Sequence, residues 1–549
     1  MTLHKLTAGN GYTYLTRQVA AQDATPPLSG SLGDYYSEKG EAPGVWMGRG
    51  LAGVTDFPVG AQVTEAQMVA LFGKGRHPNA EQVERAARAA GTEPQLVERA
   101  SRLGTPYRLF QEGNEFRSRC SAEFRAYNTS RGLGSVAAVP ENERAAVRTS
   151  VATSMFSERY GRPPADSREL SGHLARISRQ ATTAVAGYDL TFSPVKSVST
   201  LWAIAPRQIA AVIEKAHDDA VADTLTWLED HASYTRVGRN GVAQVNVRGL
   251  IAAAFTHRDS RAGDPDLHTH VAISNKVQTH DGRWLALDGR LLYRNNVAAS
   301  ERYNTRLEAF LVDRLGVRFA DRPGTDPTKR PVREIVGVDG PLPRFWSSRR
   351  TEIDARRAVL SAQFQADHGR PPTAAEAVAL AQRANLETRS SKHEARSYAE
   401  QRTTWRAEAE AVLGGQQHLQ DYVNGVLTKS PARPQPSRLC DAWVNDTAEQ
   451  LLSIVAASRA TWQECHVRAE AERQVRAASI PLPELDQAVE ALVTAALSPP
   501  LSHPPATLQP GQRTNAPCRQ HGRFPTQLPA GPSPHGAVAA RHGSCRVPG

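Results

Sequence analysis

The sequence predicts an α+β fold, an antiparallel β-sheet core flanked by helices. Three observations predict it. β-Branched and apolar residues concentrate between Gly187 and about Ser274, in "YDLTFS", "AQVNVRGLIAAAFTH" and "HTHVAISNKVQT", each of which reads as a strand. Helical periodicity brackets them. Ile209, Val212, Ile213, Ala216 and Ala220 share one face between the first two strands, and helical blocks follow at about 292–316 and 349–412. The last two strands are joined by "RDSRAGDP", whose Gly and Pro fit a hairpin turn between antiparallel neighbours.

Taken in order, residues 1 to about 60 alternate short apolar runs with Gly and Pro, as strands and turns do. A largely helical region is expected from about 62 to 180. It holds "TEAQMVALFGKG", then "NAEQVERAARAAG" with Asn79 as a cap and Gly91 after its end, then 139–180, where the prolines of "GRPPADSREL" start a new helix. The first domain is expected over 1–412. A Pro-rich linker, "KSPARPQPSR", falls in 413–442, and 443–497 gives two amphipathic helices including "DTAEQLLSIVAAS" and "LDQAVEALVTAAL". Residues 498–549 are rich in Pro, Gly, His and Arg without periodicity, and are expected to be disordered. No internal repeat stands out.

Hydrophobic residues at 40% and charged residues at 22% are ordinary for a soluble globular chain. No apolar run reaches about 18 residues, and "MTLHKLTAGNGYTYL" lacks the apolar core of a signal peptide, so a cytoplasmic location is expected. Five separated cysteines (Cys120, Cys440, Cys465, Cys518, Cys545) with no CxxC argue against a disulfide framework or a thiolate metal site. The formal net charge of +10 leans towards an anionic partner such as nucleic acid. Half of that charge is five arginines after residue 500, a stretch with no Lys, Asp or Glu, so the charge decides little.

Three of the 17 histidines fall in "THRDSRAGDPDLHTH". On a hairpin centred near Arg261–Ala262, His257 faces His268, with Cβ atoms about 5 Å apart. His270 points to the same face as His268, about 7 Å along the strand. Three imidazoles then converge, which suits a divalent cation with coordination positions left open for substrate. Histidine ligands suit Zn²⁺, while phosphoryl chemistry favours Mg²⁺ or Mn²⁺.

Asp189, in the alternating "GYDLTFS", could reach a histidine or take a proton if its strand lies beside the hairpin. Lys196, just past Pro194, could meet a phosphate. Spacing alone leaves a strand-end Asp and a solvated Lys as the simpler reading. Four of 13 tyrosines lie in the first 36 residues: Tyr12 and Tyr14 in "GYTYL", Tyr35 and Tyr36 in "GDYYSEKGE". Such clusters are commonly packing, but beside a metal and a base a phenol can act as covalent nucleophile.

These pieces, in this order, resemble the conjugative relaxases of the MobF (TrwC/TraI) type, members of the HUH endonucleases. "GDYYSEKGEAPGVWMGRG" is similar to the family's tyrosine-pair segment, "YDLTFSPVKSVS" to its D-L-T-F-S-x-x-K-S-V-S motif, and "FTHRDSRAGDPDLHTHVAISN" to its three-histidine motif. The likeness runs from residue 1 to about 412, with a longer helical insertion between about 62 and 180. It implies a site- and strand-specific nickase and strand transferase acting on single-stranded plasmid origin-of-transfer DNA. A tyrosine would attack one phosphodiester to give a 5′-phosphotyrosyl protein and a free 3′-OH. The resemblance implies His257, His268 and His270 as metal ligands and Asp189 as acid/base or histidine orienter. Lys196 and Arg258 are the candidate DNA contacts.

The family's first tyrosine element holds adjacent tyrosines. Here it reads Tyr12-Thr13-Tyr14, so the nucleophile stays open among Tyr12, Tyr14, Tyr35 and Tyr36. The last two match a second pair, which in the family can serve a second transfer. Relatives continue into a helicase with a G-x-x-x-x-G-K-[ST] loop, and no such loop occurs in this sequence. Residues 443–497 are therefore expected to be a connector to an absent helicase, with a frameshifted tail beyond. Accessory relaxosome proteins, a coupling protein and a helicase in trans are the implied partners. A rolling-circle replication initiator, a truncated non-catalytic DNA-binding remnant and an unrelated zinc hydrolase are the alternatives.

Overall fold

The computed structural model describes residues 1–16, 42–54, 58–108, 115–134, 137–177, 184–324, 329–388, 396–428, 439–498 and 522–523. At its centre lies an antiparallel five-stranded sheet built from β1 (Thr2–Thr7), β2 (Val45–Met47), β3 (Val185–Phe192), β4 (Ala252–Asp259) and β5 (Pro265–Ser274). The strand order is β1-β3-β5-β4-β2. This is the α+β architecture expected from the sequence.

Both faces of the sheet are covered, which is why its central strands read as near-continuous apolar runs. On one face Leu190, Ala254, Val271 and Ile273 pack against three helices, α1 (Lys196–Ile204), α2 (Arg207–Ala232) and α3 (Gly289–Leu315). On the other, Ala253, Phe255 and Ala272 pack against Leu15, Trp46, Met68 and Phe72. Because side chains alternate along a strand, Asp189, His257, His268 and His270 belong to this second face, at the end where β4 turns into β5.

Helix α4 (Tyr398–Leu413) closes the first core through Tyr398 and Trp405. Beyond it come α5 (Asp441–Ser458), α6 (Glu464–Ala477) and α7 (Leu485–Leu497), with a core of their own. Sequence periodicity shows only two of these. Helix α6 escapes it because it is buried on more than one side: Val467, Ala471 and Val475 join the apolar core, but Arg468, Glu470 and Glu472 are buried between them and break the apolar pattern. Those charges are paired, and α6 lies against α3. Arg468 pairs with Glu464 at 3.0 Å, Glu470 with Arg473 at 2.9 Å and Arg330 at 3.0 Å, and Glu472 with Arg302 of α3 at 3.8 Å, while Arg476 and Arg473 reach Glu301 of α3 at 2.7 and 2.8 Å.

Two further readings change. "AQVNVRGLIAAAFTH" is not one strand. Ala243–Asn246 pairs with Tyr234–Val237 in a separate ribbon, and the chain turns at Gly249, whose φ of 136° needs glycine, before β4 begins. "GYTYL" is not a strand either; Thr13–Thr16 forms a helical turn.

Before β3 the chain forms helices Ala80–Ala89, Pro94–Ala100, Glu115–Ser130, Glu141–Tyr160 and Ser167–Ile177. The Gly-Arg-Pro-Pro turn at 161–164 recurs at 369–372, between helices Ser348–His368 and Ala374–Glu387. In both, glycine takes the left-handed cap, and the arginine bonds a following glutamate and covers a phenylalanine. The pairs are Arg162 with Glu169 and Phe156, and Arg370 with Glu376 and Phe364. This repeated turn is a feature the sequence reading missed. The tail beyond 498 lies outside the described residues, apart from Gly522–Arg523 pairing with Thr461–Trp462.

Candidate metal centre and its tyrosine

The hairpin forms in the register read from the sequence: His257 is the cross-strand partner of His268, and Phe255 that of His270. Its turn closes through Ser260 and Asp264 with Gly263 at φ 85°. It is also held from outside. Trp405 Nε1 donates to the Gly263 carbonyl at 2.9 Å, the Asp264 carboxylate accepts from Ser348 N and Oγ at 3.1 and 3.0 Å, and Lys196 Nζ donates to the Pro265 carbonyl at 2.7 Å.

The result is a cluster in which one ligand atom from each of His257, His268 and His270 lies within 4.8 Å of the others. Two imidazoles are oriented by bonds at Nδ1. That of His268 meets the Asp266 carbonyl at 2.6 Å, and that of His270 meets both carboxylate oxygens of Asp189 at 2.9 and 3.0 Å. An acceptor at Nδ1 fixes the proton there and leaves Nε2 with a free lone pair, the form a metal ligand needs. The donor set therefore fits a divalent cation. Thr191, opposite His270 on β3, adds a contact to the same Nδ1 at 3.2 Å, a partner no sequence signal indicated.

Asp189 is 2% exposed and does more than orient His270. The Tyr14 hydroxyl donates to Asp189 Oδ2, and the Tyr14 ring meets the His270 ring edge-on at 5.7 Å. Burial, and then the Asp189 charge, hold the Tyr14 phenol well above its ordinary value of 10. Tyr14 is thus a protonated phenol with a carboxylate in position to take its proton, beside the imidazole cluster.

Tyr12 goes elsewhere. It is buried in the second core, its hydroxyl donates to Glu65 at 3.0 Å, and burial followed by the Glu65 charge raises its phenol. Residues two apart on a helical turn point about 200° apart, so "YTY" aims one ring at the histidines and the other at the core. Tyr35 and Tyr36 lie outside the described residues.

Neither proposed DNA contact sits freely in solvent. Lys196 is bonded to the hairpin, and its burial lowers the ammonium against the opposing pull of Asp266 and Asp264. Arg258 is buried at 2% exposure with its guanidinium over the Tyr398 ring at 5.0 Å. In this conformation it is not offered to a DNA phosphate. Its place on β4 turns it away from His257, towards the helices.

The fold and the cluster define a class, an α+β protein with a three-histidine metal centre on the middle strands of an antiparallel sheet. The chain belongs to the TrwC relaxase family, whose sequence model matches residues 8–412. Two relatives are multifunctional conjugation proteins TraI. That of Escherichia coli is 37% identical over 132 residues, 23% of this chain and 7% of the relative. That of Escherichia coli strain K12 is 31% identical over 192 residues, 31% of this chain and 11% of the relative. The chain thus spans only a small part of their length.

Solved structures of conjugative relaxase TrwC are also similar. One in complex with oriT DNA is 19% identical, covering 75% of this chain and 98% of that one, with a TM-score of 0.42. Another, with a 27-mer DNA comprising the recognition hairpin and the cleavage site, is 28% identical, covering 47% and 89%, with a TM-score of 0.35.

Proposed function

We propose that this chain cleaves one phosphodiester of single-stranded origin-of-transfer DNA in conjugative transfer, with Tyr14 as nucleophile. The observation that carries the reading is the Tyr14–Asp189 hydrogen bond beside the three histidines. Asp189 accepts the phenol proton as the Tyr14 oxygen bonds to phosphorus. The bond from phosphorus to the 3′ oxygen breaks, and that oxygen leaves and is protonated, giving a 5′-phosphotyrosyl protein and a free 3′-OH. A raised phenol needs such a base, which contributes about 10²–10⁴-fold to rate.

His257, His268 and His270 would hold a divalent cation, Mg²⁺ or Mn²⁺ ahead of Zn²⁺, which when bound would offset charge developing on the scissile phosphate. Tyr35 and Tyr36 are the candidates for a second transfer. The DNA would be held by Lys and Arg on phosphates and aromatic rings on unpaired bases. Accessory proteins, a coupling protein and a helicase in trans are proposed partners, in the cytoplasm. Among the described residues no helix is long and apolar enough to cross a membrane.

Family membership favours a relaxase over a rolling-circle initiator, which shares this chemistry. The test is a gel assay with labelled single-stranded origin DNA and Mn²⁺, comparing wild type with Tyr14→Phe and Tyr12→Phe. A downstream fragment linked to the protein through its 5′ phosphate, lost only in Tyr14→Phe, is the expected result. Binding without any adduct, on a verified origin and with either Mg²⁺ or Mn²⁺, would make the chain a non-catalytic remnant.

A further inference from the structure

Directly behind the histidine cluster, on the helix-covered face of the sheet, runs a line of buried polar groups outside the reaction described above. Tyr303 on α3 meets His217 Nδ1 at 2.7 Å, and His217 Nε2 on α2 meets Thr269 Oγ1 at 2.8 Å. Thr269 Oγ1 in turn meets Thr256 Oγ1 at 2.8 Å. Thr269 is the residue between His268 and His270, and Thr256 is both its cross-strand partner and the neighbour of His257. Each hydroxyl therefore hangs from the same stretch of backbone as one or two of the three histidines, on the opposite side of the sheet.

We infer that His217 is a positioning residue for the metal centre, setting the roll of both hairpin strands through Thr269 and Thr256. The inference rests on the metal-binding reading of the three histidines.

The proton inventory supports one direction for the line. His217 and Tyr303 are fully buried, so the imidazole is neutral and offers one donor and one acceptor. Tyr303 has one proton to place, and Nδ1 is where it goes. Nε2–H then donates to Thr269, and Thr269 donates to Thr256, which is half-buried. Every inner group is satisfied, the condition under which a polar line can exist inside a core.

A bond at Thr269 resists rotation of β5 about its own axis. That rotation matters at the metal. Ligand distances tolerate about 0.2 Å, and a roll of roughly 10° would carry an imidazole nitrogen ~5 Å from the strand axis by about 1 Å. Apolar packing of the same volume would fill the space without fixing the roll.

The test uses the full chain stripped of metal, titrated with Mn²⁺ by calorimetry, with thermal unfolding in chelator measured in parallel. His217→Leu and Thr269→Val are expected to raise the Mn²⁺ Kd by about tenfold or more, the low end for groups that orient ligands. Thr269→Ser keeps the hydroxyl and is expected to hold Mn²⁺ as wild type does. A role in packing alone would lower the unfolding midpoint and leave Kd where it was. Should His217→Leu fail to fold, Thr269→Val decides, since it keeps the shape and removes one hydroxyl. Wild-type Kd in folded Thr269→Val overturns the inference while leaving the metal reading intact. A wild-type protein that takes up no Mn²⁺ overturns both.

Discussion

Replacing Asp189 with asparagine should separate two roles that one carboxylate combines. The wild-type group accepts from the Tyr14 hydroxyl and from His270 Nδ1, and it is buried, so no water substitutes for it. Asparagine can still accept from His270 through its amide oxygen. Orientation of the imidazole should largely survive, and Mn²⁺ affinity should fall by no more than about tenfold, the low end for orienting partners. It cannot take the phenol proton. Adduct formation at saturating Mn²⁺ should therefore fall by about 10²–10⁴-fold, or roughly 3–5 kcal/mol in barrier.

The pH dependence gives an independent check. Burial, the Asp189 charge and the hydrogen bond to Asp189 all raise the Tyr14 phenol; removing the charge removes one of the three, so its ionisation moves down towards the ordinary value of 10. Without a base, the variant reacts through phenoxide already present, and its rate should climb about tenfold per pH unit below that ionisation. The assay is single-turnover formation of the covalent adduct on labelled oligonucleotide between about pH 6 and 9. An asparagine variant forming adduct within about threefold of wild type, with the same pH profile, would refute the assignment of Asp189 as base.

Three other outcomes follow from the same structure. Tyr12→Phe should leave adduct formation unchanged and cost about 1 kcal/mol of stability, since it removes one hydrogen bond to Glu65, whereas Asp189 bonds Tyr14 and His270; denaturant titration beside the gel assay checks it. Arg302→Ala leaves Asp223 and the buried Glu472 short of a partner and should destabilise the chain by about 3 kcal/mol or more, read as a lower unfolding midpoint. His217 has its pKa lowered from 6.5 to about 3 by burial and then by His268, so the unfolded chain binds the proton more readily. Its contribution is intact above pH 6.5 and is lost as pH falls from there towards 3, by about 1.4 kcal/mol per pH unit at most. Thermal unfolding in chelator at about pH 7.5 and 5 should show a smaller drop for His217→Leu than for wild type.

The hairpin and its ligands were legible in the sequence because they depend on local rules. Two β-rich runs around a Gly- and Pro-containing turn define a register, and alternation then puts His257, His268 and His270 on one face. Asp189 was legible only conditionally, since nothing local says that β3 pairs with β5; once it does, Asp189 lies diagonally across from His270. The tyrosine could not be read. The choice between Tyr12 and Tyr14 turns on whether five residues near the N-terminus form a strand or a helical turn, and burial of Tyr12 and Leu15 in the same core as Phe72 decides that.

Helix α6 and the line behind the cluster were hidden for a related reason. Patterns of apolar residues reveal where a chain buries greasy surface, whereas α6 buries paired charges and His217 buries a satisfied imidazole. By itself, then, the sequence determined the sheet hairpin, the three imidazoles and the family resemblance, all products of short-range periodicity. Only the tertiary structure decided which phenol reaches the carboxylate and which polar groups stand behind the ligands. Those depend on contacts between residues up to 175 positions apart, as in the Tyr14–Asp189 bond. Such contacts are satisfied hydrogen bonds with no periodic trace along the chain.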